Sequence, residues 1–381
     1  MRRTRLGLLS ILIAVLGTAA LLVAAMAPAD AQVAFARHDH QRSHRRGDHR
    51  GNRFSQVNVV SDQPGAARLT DPNLVNAWGL AAGPTSPLWV ADNGTSLSTV
   101  YPGVQAGDVT VSPLVVNTAT DGPTGIVFNP TSGFAVGGQP ATFIFASEAG
   151  DITGWSPKVP PPPPSTMAQP AAHVDGAIFK GLALVDVGHG AYLYATDFHN
   201  GQIDVFDESY QPVPLPSWAF RDPRLPTGYA PFNIQALDGR LYVTYGKQDA
   251  DAKDEVDGPG LGLVDVFSTS GHMIRRLASG GRLNAPWGLA IAPDGFGRFG
   301  GDLLVGNFGD GHISAFDRHS GERVGTLRDG AGQPIAIDGL WGLRFGNGVT
   351  ATPDTLVFSA GPGGEAHGLL GFLNPVGRPP V

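Results

Sequence analysis

A chain of 381 residues with 42% hydrophobic content has enough apolar material for a sizeable core, and a formal charge of −7 excludes the basic surplus of a nucleic-acid-binding protein. The absence of cysteine excludes disulfides and thiolate metal centres, so any metal would have to be held by Asp, Glu, Asn, His or carbonyl oxygens. With 53 Gly and 32 Pro among recurring hydrophobic runs, the chain reads as turn-dense and all-β, and neither collagen-like nor disordered.

Taken from the N-terminus, Arg2, Arg3 and Arg5 precede an apolar run over residues 6–25, and Ala29-Asp30-Ala31 gives a small-x-small cleavage site before Gln32. Residues 1–31 are therefore expected to be a secretory signal peptide, with an uncleaved membrane anchor as the alternative, and the protein is expected outside the cytoplasm, secreted or periplasmic. Residues 37–53 hold six Arg, four His and two Asp with almost nothing apolar, so residues 32–53 are expected to be a disordered leader. Its His38, His40, His44 and His49 could take a transition metal. Without residues 1–53 the charge is −13, which makes the body acidic.

From residue 54 onward one phrase recurs: an aromatic or small residue, Gly, Leu or Ile, then a small residue. It reads Trp78-Gly79-Leu80-Ala81, Thr124-Gly125-Ile126-Val127, Lys180-Gly181-Leu182-Ala183, Phe232-Asn233-Ile234-Gln235, Trp287-Gly288-Leu289-Ala290 and Trp341-Gly342-Leu343-Arg344. The steps between central positions are 46, 56, 52, 55 and 54 residues, which is propeller-blade length. Six copies predict a six-bladed β-propeller of four-stranded blades over residues 54–375, followed by a tail at 376–381. Second strands align at Leu88–Asp92, Phe143–Ser147, residues 193–197 and 241–245, Leu303–Asn307 and Leu356–Ala360. Third strands are read at 201–206, 262–267, 311–316 and 368–372. Looser fourth strands follow at 109–116, 212–220, 273–278 and 323–327.

The last blade has no fourth strand of its own, while residues 56–61 form a spare strand ahead of the first blade. These two observations predict that the spare strand pairs into blade six and closes the ring, which removes exposed sheet edges. The five prolines at 160–164 predict a stiff surface loop between the third and fourth strands of blade two. The acidic stretch 249–258 is an insertion between the second and third strands of blade four.

Strand order puts the loops entering first strands and those joining second to third strands at one end of the channel. That face should collect Asn76, Asp121, Asn284 and Asp338 with Asp92, Asn93, Glu148, Asp197, His199 and Asn307, joined by the acidic insertion 249–257 with its Asp249 and Asp251. Two readings stand side by side. Asp and Asn are favoured turn residues, since they bond to their own backbone. They are also hard oxygen ligands, and Asp92, Glu148, Asp197, Asn284 and Asn307 are the candidates for a calcium-like cation. Trp78, Trp287 and Trp341 either pack between blades or ring the mouth as a stacking surface for a ligand. No Gly-x-Ser-x-Gly elbow or His-Glu-x-x-His motif occurs, and Gly258-Pro-Gly260-Leu-Gly262 leads into a strand, where a phosphate-binding loop would lead into a helix.

Gly-Leu-Ala followed by Leu88-Trp89-Val90-Ala91-Asp92-Asn93-Gly94 resembles the NHL-type repeat over about residues 55–375. Asn58-Val59-Val60-Ser61-Asp62, the run from Asp71 to Gly79 and Asn284-Ala285-Pro286-Trp287-Gly288 resemble a family of exported bacterial propellers with no assigned biochemical function. The chain is also similar to six-bladed lactonases of the regucalcin and gluconolactonase kind. That resemblance implies a divalent cation held by one Glu, two Asn and one Asp, with Asn233 or Asn284 and Asp197 or Asn307 in the Asn and Asp parts. Asn76 stands where the entering Glu would be, and Pro-Glu-Gly-Pro is absent. The expected function is a monomeric binding module whose polar channel face takes a protein, glycan or small molecule. The alternative is a cation-dependent lactonase or esterase with Asp197 or Glu148 as base.

Overall fold

The computed structural model describes residues 49–105 and 109–377. The expected signal peptide, the leader up to residue 48 and the tail from residue 378 lie outside the described residues. Six small antiparallel sheets are arranged as the blades of a β-propeller. Their innermost strands are Ala77–Ala81, Pro123–Phe128, Phe179–Asp186, Tyr229–Leu237, Pro286–Ile291 and Leu340–Phe345, so each begins at or within three residues of its repeat phrase. No helix among the described residues is long and apolar enough to cross a membrane.

The geometry explains the recurring glycine. A Cβ on Gly288 would sit 2.6 Å from the Trp341 carbonyl oxygen, and one on Gly342 would sit 2.7 Å from that of Trp78. Each repeat glycine is thus where one innermost strand touches its neighbour across the narrow axis, a contact that only a bare backbone permits. In blade four Asn233 replaces the glycine, and its Nδ2 donates to the Trp287 carbonyl at 2.8 Å. Gly288→Ala should cost about 1–3 kcal/mol through overpacking. Urea denaturation will measure it against Gly330→Ala as the neutral control, because nothing lies within 4 Å of a Cβ there.

The ring closes as expected. Strand Phe54–Ser61 pairs antiparallel with Leu369–Pro375 as the outer strand of blade six, from Phe54 opposite Pro375 to Ser61 opposite Leu369. Leu69–Thr70 adds a short parallel strand outside it. Phe54, Val59 and Val60 are fully buried, and the Phe54 ring lies 4.7 Å from that of Phe296 in blade five. Residues 49–53, expected in the disordered leader, are part of the fold: His49–Asn52 form a 3-10 turn, and Arg53 donates to the Gly330 carbonyl.

Blade three departs from the four-stranded pattern. It has three strands, and the expected fourth at 212–220 is reduced to one bridge between Phe206 and Pro212. Pro212, Pro214 and Pro216 lack the amide hydrogens that a ladder needs. The prolines at 160–164 form an exposed loop, and residues 249–258 form a hairpin whose arm Glu255–Val256 pairs with Lys247 and Gln248.

Candidate functional site

At the axis the ring is sealed by aromatic side chains. Trp78 and Trp341 stack with centroids 3.5 Å apart, and Trp287 meets both edge-on at 5.8 Å. Phe308 stacks on Trp341 at 4.2 Å, and Phe232 packs beside it at 5.9 Å. The three indoles are no more than 2% exposed, so they form a packed plug and not the stacking surface for ligands that was one sequence expectation. The indole N–H of Trp341 donates to Asn76 Oδ1 at 3.0 Å, and that of Trp287 donates to the Lys180 carbonyl at 2.9 Å.

A lysine lies over this plug. Lys180 opens the repeat phrase of blade three, where other blades carry Trp, Phe or Thr, and its ammonium sits 5.2 Å from the centre of the Trp78 ring. Its Nζ pairs with Glu148 Oε1 at 2.5 Å and with Asp254 Oδ1 at 3.1 Å, and its side chain is 1% exposed. The carboxylates come from different blades. Glu148 follows the second strand of blade two, Asp254 comes from the hairpin of blade four, and Glu365 comes from the loop before the last strand. Glu148 Oε2 accepts from Asn93 at 2.9 Å. Asn76 donates to Asn93 at 3.1 Å and to Glu365 Oε2 at 2.6 Å. A hydrogen-bonded arc therefore runs from Lys180 through Glu148, Asn93 and Asn76 to Glu365.

Burial pulls the Lys180 ammonium toward deprotonation, but Glu148, Glu255 and Asp254 outweigh it and hold its pKa above the ordinary lysine value. It is a fixed cation and not an amine nucleophile. Burial pushes Glu255 up to about 8 against the pull of Lys180, and burial likewise raises Glu365 despite the Asn76 bond. For Glu255 the raised native value means that the unfolded chain ionises first as pH rises. Its contribution is full below about 4.5 and is lost between there and about 8. The mouth is thus an acidic basin with one built-in ammonium and two carboxyls that favour the protonated form.

The residues singled out from the sequence divide into those brought to this basin and those used elsewhere. Glu148, Asn76 and Asn93 belong to it. Asn284 and Asn307 pair with each other's surroundings: Asn307 Oδ1 accepts the Asn284 amide at 3.2 Å, and Asn284 Oδ1 accepts the Gly258 amide at 2.6 Å. Asp197 caps its own turn, accepting from the Asn200 amide at 3.1 Å and side chain at 2.7 Å. Asp92 is fully buried with Oδ2 on the Thr99 amide at 2.8 Å, and burial drives its pKa well above the carboxylate range. Asp338 accepts the Gly363 amide, Asp121 meets Ser96 Oγ at 3.4 Å, and Asp249 accepts the Lys253 amide at 2.9 Å inside its own hairpin. Asp251 is exposed, and His199 reaches the Ala252 carbonyl at 3.2 Å.

The five cation candidates therefore do not converge on one point. Among the described residues no three acidic or His side chains are grouped so as to hold a metal. Turn and backbone bonding absorbs most of them. Sequence reasoning missed Lys180 and Glu365, and it placed Asp254 and Glu255 on this face only as part of the insertion. The available signal was Lys180 itself, a charged residue at a repeat position that is otherwise aromatic or small.

No family model matches the chain. Uncharacterized protein R648 of Acanthamoeba polyphaga mimivirus is 35% identical over 296 residues, covering 75% of this chain and 72% of that protein. Uncharacterized protein L690 of the same virus is 32% identical over 296 residues, covering 75% and 77% respectively. The matching relatives are viral and not the bacterial proteins expected from the sequence. Among solved structures, an alpha-L-arabinanase of Penicillium chrysogenum complexed with arabinobiose superposes with a TM-score of 0.53 at 12% identity, covering 85% of this chain and 99% of that one, a likeness of fold alone.

Proposed function

Because this chain belongs to the family of the mimivirus proteins R648 and L690, whose names assign no activity, we propose from its own chemistry that it is a binding protein whose acidic channel mouth receives a positively charged group of its ligand. The observation that carries this reading is the surplus of carboxyls around Lys180. Glu148 and Asp254 neutralise the ammonium, while Glu255 and Glu365 remain at the mouth with raised pKa values. An incoming cation stabilises the ionised form of both and drives a proton off Glu255. The aromatic plug supplies a rigid floor, and the hairpin at 249–258 supplies one wall. The metal-dependent hydrolase reading has no comparable support, since Glu148 is already committed to Lys180 and the other proposed ligands point into separate turns. Export of the protein is part of the proposal and rests on Arg2, Arg3, Arg5, the apolar run at 6–25 and the small residues Ala29 and Ala31.

Titration calorimetry of the full chain with hexamethonium, a diammonium whose charge does not depend on pH, tests the reading. Affinity should rise at least fivefold from pH 6.5 to pH 8.5, with proton release visible as a dependence of the heat on buffer ionisation enthalpy. Glu255→Gln should abolish both the pH dependence and the proton release. Equal affinity at the two pH values, or hexamethonium binding untouched by Glu365→Gln and Glu255→Gln together, would overturn it.

A further inference from the structure

The three-stranded blade leaves an open edge on the outer strand Gln202–Phe206. In an antiparallel strand the amide and carbonyl of one residue point to the same side, and alternate residues share that side. The Val205 carbonyl faces outward, because it accepts the Val213 amide at 2.8 Å. The amide and carbonyl of Ile203 therefore face outward too, and the following chain, diverted at Pro214, does not reach them. A cavity of about 380 Å³ lies along this edge, lined by Val174, Ile203, Asp204, Leu215, Ala219 and Phe220 among others. Asp204 Oδ1 accepts from Gln202 at 2.9 Å, whereas its Oδ2 is buried with no hydrogen-bond partner among the described residues. A buried carboxylate oxygen without a donor is costly, and a sheet edge without a neighbour is a template for another strand.

We propose that this edge docks an extended peptide segment of another protein, which continues the fourth strand of blade three beyond Val213, with a Lys or Arg against Asp204 and an apolar residue opposite Ile203. The backbone groups of Ile203 call for an extended partner, which fixes the mode as strand addition. Side chains alternate across a strand. The residue opposite Asp204 shares its face and supplies the absent donor. Its neighbour opposite Ile203 falls on the other face, where Ile203 and Val205 pack with Ala219 and Phe220, while the place opposite Val205 is held by Val213 of this chain. The free edge runs over Gln202, Ile203 and Asp204, about the length of the fourth strand Val115–Asn117 in blade one. Blade six already accepts a strand from a distant part of the chain in the same position.

Fluorescence polarisation with the full chain and a labelled pentapeptide Thr-Val-Lys-Val-Thr tests the proposal. The same peptide with Glu in place of Lys, and one with both Val amides N-methylated, should each bind at least tenfold more weakly. Asp204→Arg should reverse the preference between the Lys and Glu peptides. Asp204→Asn, which keeps the shape of the side chain, should remove the preference should the Arg variant fail to fold. Equal affinity for all three peptides, no binding at millimolar peptide, or an unchanged order in a folded Asp204 variant would overturn it. So would sedimentation data showing that a second copy of this chain occupies the edge.

Discussion

Lys180→Met should lower the unfolding free energy by about 3 kcal/mol at neutral pH, the range expected when one member of a buried ion pair is removed and its partners stay behind. Methionine keeps the stem on the Trp78 ring and removes only the charge, so the loss reports electrostatics. The Glu148 and Asp254 side chains retain 25% and 57% exposure, so water relieves part of the strain and places the figure at the low end. One control isolates the cause: adding Glu148→Gln should restore a large part of the loss. The wild type has a pH signature of its own. With its native pKa raised, Lys180 contributes fully below the unfolded value of roughly 10.4, and that contribution is lost as pH rises through the native value. Urea denaturation at pH 7.5 on wild type, single and double variants measures the loss and its rescue. A Lys180→Met protein as stable as wild type at pH 7.5 would remove the ammonium from any structural role.

Phe54→Ala should cost about 3–5 kcal/mol, the amount typical of a large aromatic lost from a core. Phe54 is 1% exposed, and its ring meets Phe296 at 4.7 Å and Phe299 at 6.1 Å, so one side chain at the head of the first strand ties the clasp of blade six to blade five. The variant should also gain a tendency to associate, because loosening Phe54–Ser61 uncovers the edge of Leu369–Pro375. Thermal melting with light scattering will register both effects. A variant with wild-type melting would mean that the backbone ladder alone holds the clasp.

The architecture was legible because its cause is periodic. The repeat glycine records a steric demand at the axis that recurs blade after blade, and the spare strand at 56–61 could be matched to the blade that lacked one. The site was less legible because it is made by exceptions. Lys180 and Asn233 stand where the repeat has an aromatic and a glycine, and an eye trained on the repeat reads them as noise. Glu365 lies in a Gly-rich loop without any repeat, and Asp254 and Glu255 belong to an insertion whose course across the mouth depends on how its hairpin folds. Singling out Asp249 and Asp251 of the insertion drew notice to the wrong end of that hairpin, where Asp249 is spent on the Lys253 amide. Strand order assigned Asp197, Asn284 and Asn307 to the correct end of second strands and entry loops, but it carries no information on where a short polar side chain turns once its own backbone offers a donor.

The clasp also sets an order in time. Phe54–Ser61 leaves the ribosome more than 300 residues before Leu369–Pro375, the strand it pairs with. At roughly 5–20 residues per second, that is a wait of tens of seconds in a bacterial or eukaryotic cell. Throughout that interval the earliest β-strand of the ring is made but unpaired on one side, while five blades assemble behind it. Whatever handles the nascent chain must keep an apolar strand bearing Phe54, Val59 and Val60 from finding another partner, because the ring cannot close before its last strand exists.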